Sequence, residues 1–260
     1  MPTIDVNGTT LCYDDTGGPG PAVVLSHSLF FDRTMFAAQV AEFGRRFRVV
    51  TYDHRGQGAS ARSPHVDMDT LANDAGALIT ALDLGQAHVV GNSMGGFVAL
   101  RLAARRPELV RSAVVLSSSA DEEEQVENFE ALLEHARTAG LTEAVDALLY
   151  TMFGDTTLAK RVAVRERWRR HFAALDDAVL TAAQAVIGRK AVLGELAGCT
   201  VPLLVLSGAE DHAYPPEFSQ RIADTAANAQ HVTLRGAGHS LAVEQPDIVN
   251  DLMAAHFAAT

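Results

Sequence analysis

The sequence is poor in the features that mark several large classes of protein. Only two of its 260 residues are cysteine, Cys12 and Cys199. They are too few for a disulfide framework and suit a reducing, cytoplasmic compartment. No cysteine or histidine cluster has metal-ligand spacing, so no metal is expected. Basic residues are in deficit, 21 Lys and Arg against 32 Asp and Glu, for a formal net charge of −11. That balance argues against nucleic acid or an anionic membrane as main partner. No apolar run is long enough to span a bilayer. The opening Met1-Pro2-Thr3-Ile4-Asp5 lacks the basic and apolar regions of a secretory leader. Short repeats are missing, as is low-complexity sequence beyond a general alanine richness. Asp53-His54-Arg55-Gly56-Gln57-Gly58 lacks the spacing of a phosphate-binding loop and reads as a structural turn. No cofactor is expected.

What is present is ample apolar material, 48% of the chain, in a regular alternation. Asn7-Gly8 between Thr3–Val6 and Thr9–Asp14 predicts a hairpin. Buried strands are predicted at 22–26, 47–52, 87–90, 110–116, 201–206 and 230–234. Helices are predicted at 34–43, 71–82, 97–106, 216–226 and 240–257. This pattern implies an α/β protein with a mostly parallel, eight-stranded sheet and helices on both faces. Between residues 119 and 196 no convincing strand appears. Ser119 with Glu122 resembles a capping box opening a helix, and further helices are predicted at 142–153, 158–174 and 178–188. The organisation expected is a core domain of residues 1–118 and 197–260, interrupted by a helical cap of residues 119–196. In open α/β sheets ligands bind at the C-terminal ends of the strands, and a cap there would roof the site.

The stretch that suggests chemistry is Val89-Val90-Gly91-Asn92-Ser93-Met94-Gly95-Gly96. A strand runs into a G-x-S-x-G turn and then a helix, a geometry that exposes the serine at a strained turn. The bland alternative is a small-residue loop with no chemistry. A serine hydroxyl needs a base to take its proton, and the base needs a carboxylate to hold its tautomer. After a turn of this kind the partners follow in the order serine, acid, histidine. Of ten histidines, His239 is favoured. It follows a strand and two glycines, whereas His212 adjoins the candidate acid, His231 lies within a strand and His256 near the end of the last helix. Asp211 is the favoured acid, with Glu210 and Asp121 as alternatives and a capping or surface role open for each. By position, the backbone N–H groups of Leu29 and Met94 would form the oxyanion site. Ser28 could add a hydroxyl contact to substrate or merely fill space, and His27 reads as a loop brace.

Gly91 to Gly96, Asp53-His54-Arg55-Gly56-Gln57-Gly58-Ala59-Ser60, Gly208-Ala209-Glu210-Asp211 and Gly236-Ala237-Gly238-His239-Ser240 together resemble the α/β-hydrolase fold. The likeness runs over nearly the whole chain. Ser26-His27-Ser28-Leu29-Phe30-Phe31-Asp32 and the 119–196 insert are most similar to 3-oxoadipate enol-lactonase-like hydrolases and carboxylesterases. Ser28 replaces the usual glycine, and His27 stands where the lactonases often carry asparagine. The resemblance implies a cofactor-free serine hydrolase of a small ester or lactone. Its nucleophile, acid and base would be Ser93, Asp211 and His239, with Leu29 and Met94 as oxyanion donors. Rival readings are a C–C bond hydrolase, a perhydrolase with the same triad, a lyase, or a ligand-sensing protein on the same fold. A homo-oligomer is compatible with the sequence. In the insert, Arg161, Arg165 and Arg169 recur at helical spacing, and Trp168 with Phe172 would share another face. Either Arg165 and Trp168 bind a carboxylated substrate, or this is a solvated face over core aromatics, with Glu166 pairing Arg170.

Overall fold

The computed structural model describes residues 1–260. Its eight strands are β1 (Thr3–Val6), β2 (Thr9–Asp15), β3 (Ala22–Ser26), β4 (Arg48–Tyr52), β5 (Ala87–Asn92), β6 (Val110–Leu116), β7 (Leu203–Gly208) and β8 (Ala229–Leu234). They form one sheet in the order β1-β2-β4-β3-β5-β6-β7-β8. Asn7 and Gly8 take φ of 44° and 71°, the positive values a tight hairpin requires. β1–β2 and β2–β4 are antiparallel, and every later pairing is parallel. Every residue of β3, β5 and β7 is buried. Because alternate side chains point to opposite faces, both faces of the sheet are covered. Helix Met94–Arg105 packs on β3, β5 and β6. Helix Ala37–Phe43 meets the C-terminal helix Pro246–Ala259, with Phe43 and Phe257 edge to face at 5.6 Å.

Between β6 and β7 the chain is helical, with helices Val126–Ala139, Leu141–Met152, Asp155–Lys160, Val162–Ala173, Val179–Ile187 and Leu193–Leu196. Three local expectations fail here and in the last helix. Ser119 caps no helix. Its hydroxyl accepts from Asp121 N at 3.0 Å in a turn, and the first insert helix starts only after Gln125. The stretch 158–174 is two helices, broken at Arg161, which sits at φ −108°, ψ 63°. Arg161 turns instead to the core, donating to the carbonyls of Val243 (3.0 Å) and Glu244. The stretch 240–257 is likewise divided, a short helix Leu241–Glu244 preceding one that opens on Pro246. Proline has no N–H to continue a helix but suits a first turn.

Candidate active site

Ser93 sits between β5 and helix Met94–Arg105 at φ 52°, ψ −111°. For a non-glycine residue this conformation costs about 1–3 kcal/mol and persists only where the surroundings impose it. Here the surroundings do so. The Ser93 amide donates to Leu116 O at 2.8 Å, and its carbonyl accepts from Ser118 Oγ at 2.8 Å and from Phe97 N at 3.0 Å. The flanking glycines are obligatory. A Cβ on Gly91 would overlap the carbonyl of Gly95, and one on Gly95 would overlap that of Ser26. The Ser93 side chain makes no capping bond to its own helix and lines a cavity together with His239.

His239 is buried on the loop after β8, and Asp211 on the loop after β7. The imidazole Nδ1 lies 3.0 Å from both Asp211 oxygens. A carboxylate only accepts, so Nδ1 carries the proton and Nε2 is left with a lone pair. Asp211 is itself fixed, its Oδ1 accepting from the amides of Ala213 and Tyr214 at 2.9 Å each. The Asn92 side chain donates to His239 O at 2.9 Å, tying the residue before the serine to the histidine backbone. Glu210 turns away to Thr156, with bonds of 2.7 Å to its amide and hydroxyl. Asp121 pairs with Arg221 at 3.2 Å. Neither alternative acid bonds His239.

Leu29 lies in the loop after β3 and lines the same cavity, while Met94 supplies the first amide of the serine helix. Such an amide has no carbonyl partner within its own helix. Phe30, next to Leu29, takes φ 67°, and its carbonyl lies 3.0 Å from His171 Nε2 of the insert. His27 braces this loop. Its Nδ1 meets Ser28 O at 2.8 Å, and its Nε2 accepts from His54 N at 3.1 Å. Burial lowers the pKa of both imidazoles, favouring their neutral forms. Asp53 accepts from the Arg33 amide and guanidinium and from Ala59 N, as a structural turn requires.

Eleven of the fourteen residues that line the cavity are hydrophobic. None is Lys, Arg, Asp or Glu. Its outer wall comes from the insert, including Phe129, Leu133, Met152, Val186 and Ile187. Ser28, Trp168 and Arg165 do not line it. Ser28 Oγ is buried with no hydrogen-bond partner. Trp168 is held by aromatic packing, 4.4 Å from the Phe31 ring. Arg165 is committed to Leu158 O at 2.9 Å and Glu166 at 3.1 Å. Glu166 pairs with Arg165 and, at 3.9 Å, Arg169, not with Arg170. Glu166 and Arg170 do share helix Val162–Ala173, but Arg165 and Arg169 take the carboxylate instead.

Two supporting residues are not evident from sequence. Tyr214 has its ring 5.5 Å from His239 and donates to buried Glu123 at 2.7 Å. Glu123 also pairs with Arg189 at 2.6 Å. The other is Glu244, one of three acids in the predicted helix 240–257 with Asp247 and Asp251. Its only sequence signal is its place two residues before Pro246.

A strained serine after the central strand, sharing a cavity with an imidazole that a carboxylate orients, is the site arrangement of one large group of enzymes. The alpha/beta hydrolase family profile matches residues 23–252, and the chain belongs to that family. Among its relatives is a Mycobacterium tuberculosis protein named as a non-heme bromoperoxidase, BpoC. The two are 30% identical over 257 residues, covering 96% of this chain and 98% of that one. The enol-lactonase of Burkholderia xenovorans superposes with a TM-score of 0.91 at 30% identity, over 99% of this chain and all of that one. A thermophilic esterase of Thermogutta terrifontis gives 0.91 at 28% identity, over 100% and 99% of the two chains. No helix of the protein is long and apolar enough to cross a membrane.

Proposed function

We propose that the protein is a serine hydrolase of small, neutral carboxylic esters or lactones, working through an acyl-enzyme. The observation that carries this reading is the Asp211–His239 pair, locked at 3.0 Å, on the same cavity as Ser93. Ser93 Oγ attacks the carbonyl carbon while its proton passes to His239 Nε2. The Leu29 and Met94 amides hold the oxyanion. When the C–O bond breaks, the imidazolium returns the proton to the departing alcohol oxygen. In a lactone that oxygen stays tethered to the acyl group. Water, deprotonated in turn by His239, then releases the acid and regenerates Ser93. Asp211 stays ionised and stabilises the imidazolium. The insert roofs the site as a cap. An apolar wall without a cation favours a neutral acyl chain, because a carboxylate would lose its hydration with no compensating charge. The enol-lactonase and esterase likeness supports the same bond class.

The test is labelling with a fluorophosphonate, read by intact mass and peptide mapping, beside turnover of p-nitrophenyl esters, lactones and vinylogous diketones. Stoichiometric modification of Ser93 with ester or lactone turnover is the expected result. Turnover of the diketones alone would move the chain to C–C bond hydrolysis. Labelling without any turnover would make it a ligand-binding member of the family.

A further inference from the structure

Glu244 is 3% exposed, and the chemistry proposed above does not use it. Both carboxylate oxygens are nonetheless fully engaged by backbone. Oε1 accepts from Gly238 N and Ser240 N, each at 3.0 Å, and Oε2 accepts from Gly154 N at 2.9 Å. Gly238 and Ser240 are the two residues that flank His239. Gly154 lies in the insert, directly after the helix that carries Thr151 and Met152 into the cavity wall. One carboxylate thus grips the backbone on both sides of the imidazole and, through its other oxygen, the cavity roof.

Further contacts join the same two segments. Ser240 Oγ donates to Met152 O at 2.6 Å. Arg161 binds the carbonyls of Val243 and Glu244. Gly154 and Gly238 touch backbone to backbone, since a Cβ on Gly238 would overlap the Gly154 amide. Burial pushes the Glu244 carboxyl above the ordinary glutamate range, against the pull of the amides it holds. Keeping a charge there costs stability.

Resting on the reading of His239 as base, we propose that Glu244 is a positioning residue that aligns His239 only while the insert is seated, coupling closure of the cavity to readiness of the base. Bonds from Oε1 fix the φ/ψ of the loop that aims the ring. The bond from Oε2 makes that grip complete only when Gly154 is docked. Misplacement of a catalytic group by about 1 Å can cost on the order of 10² in rate.

The experiment compares Glu244→Gln with Thr156→Val, which loosens a neighbouring tie between insert and core without touching the amides beside His239. Glu244→Gln should lose about 10–100-fold in kcat with KM within about twofold. It should also broaden or lose the low-field proton resonance of the His239 Nδ1–H while melting near the wild-type temperature. Thr156→Val should keep both kcat and the resonance. Wild-type kcat with an intact resonance in Glu244→Gln overturns the proposal, as does equal loss in Thr156→Val. Amide exchange in the wild-type protein needs no variant. Gly154, Gly238 and Ser240 should be protected together, and free-loop exchange at any one of them overturns the clamp. His239→Ala tests the base itself. If that variant keeps full activity the base assignment fails, a result distinct from any of these.

Discussion

The rim of the sheet and the inner face of the insert meet at one cavity but are built on opposite principles. At the rim, Ser93, Asp211 and His239 are each held by several buried hydrogen bonds, and nearly every bond ends on backbone. The inner face of the insert offers Phe129, Leu133, Val186 and Ile187, which nothing polar positions. Hydrogen bonds are directional and hold atoms within tenths of an ångström, whereas apolar contacts tolerate exchange of one shape for another of similar volume. On the proposed reading the rim sets which bond is cleaved, and the insert sets which molecule fits. The two are joined at Glu244 and its neighbours, at His171 on Phe30 O, at Glu123 on Tyr214 and at Thr156 on Glu210.

The largest effect that could break this division lies at the rim. Ser93→Ala should lower ester turnover by about 10⁴–10⁶-fold with an unchanged melting temperature. Full activity in that variant ends the serine-hydrolase reading. Asp211→Asn should lower kcat by roughly 10⁴, because an amide at Nδ1 favours the wrong imidazole tautomer. A small loss would point to another acid. On the insert, Ile187→Ala should leave p-nitrophenyl acetate turnover nearly intact. It should shift preference toward longer acyl chains by about tenfold, the usual worth of a methylene or two. If acetate and octanoate esters respond equally, the insert does not select chain length. Arg165→Ala should not change the ratio of neutral to carboxylated ester turnover, since its guanidinium faces Leu158 and Glu166. A fall confined to carboxylated esters would restore that arginine to substrate binding.

The smallest effect concerns stability. His88 is buried against Arg111 and His256, and burial foremost lowers its pKa from 6.5 to about 4. The unfolded chain takes up that proton at higher pH than the folded one. Its contribution is therefore present above about 6.5 and lost as pH falls toward about 4. His27 and His54 shift in the same direction. The melting temperature should fall across that window, and His88→Gln should remove roughly 2–4 °C of the drop. An unchanged slope in the variant would place the acid sensitivity elsewhere.

Legibility in the sequence follows the same division. The turn at Ser93 is readable because its glycines recur at fixed short spacing around the serine, Gly91 making room for Gly95 and Gly95 for Ser26 of β3. Asp211 and His239 stand out because each follows a strand and nearby glycine, Gly208 at the end of β7 and Gly236 and Gly238 in the loop after β8. The strand positions and the hairpin at Asn7-Gly8 come from periodicity and local turn chemistry alone. The insert is different. Arg161 leaves its helix for carbonyls more than eighty residues away, and no periodicity encodes that competition. Trp168 lies on the predicted face, but that face packs against Phe31 rather than the cavity. Glu244 is invisible for a related reason: Gly238 and Ser240 lie close before it in the chain, but the third amide belongs to Gly154, 90 residues upstream.

The contact of Gly154 with Gly238 bears on how this scaffold could be re-engineered. The helices of the insert could be exchanged for others that pack as well, provided the ties through His171, Glu123 with Arg189, Arg161 and Thr156 were kept. The graft would still need a residue with no side chain at one point, with its amide free to reach a carboxylate on the scaffold beneath. A chimaera that ignored that single peptide would fold both halves and leave the imidazole adrift.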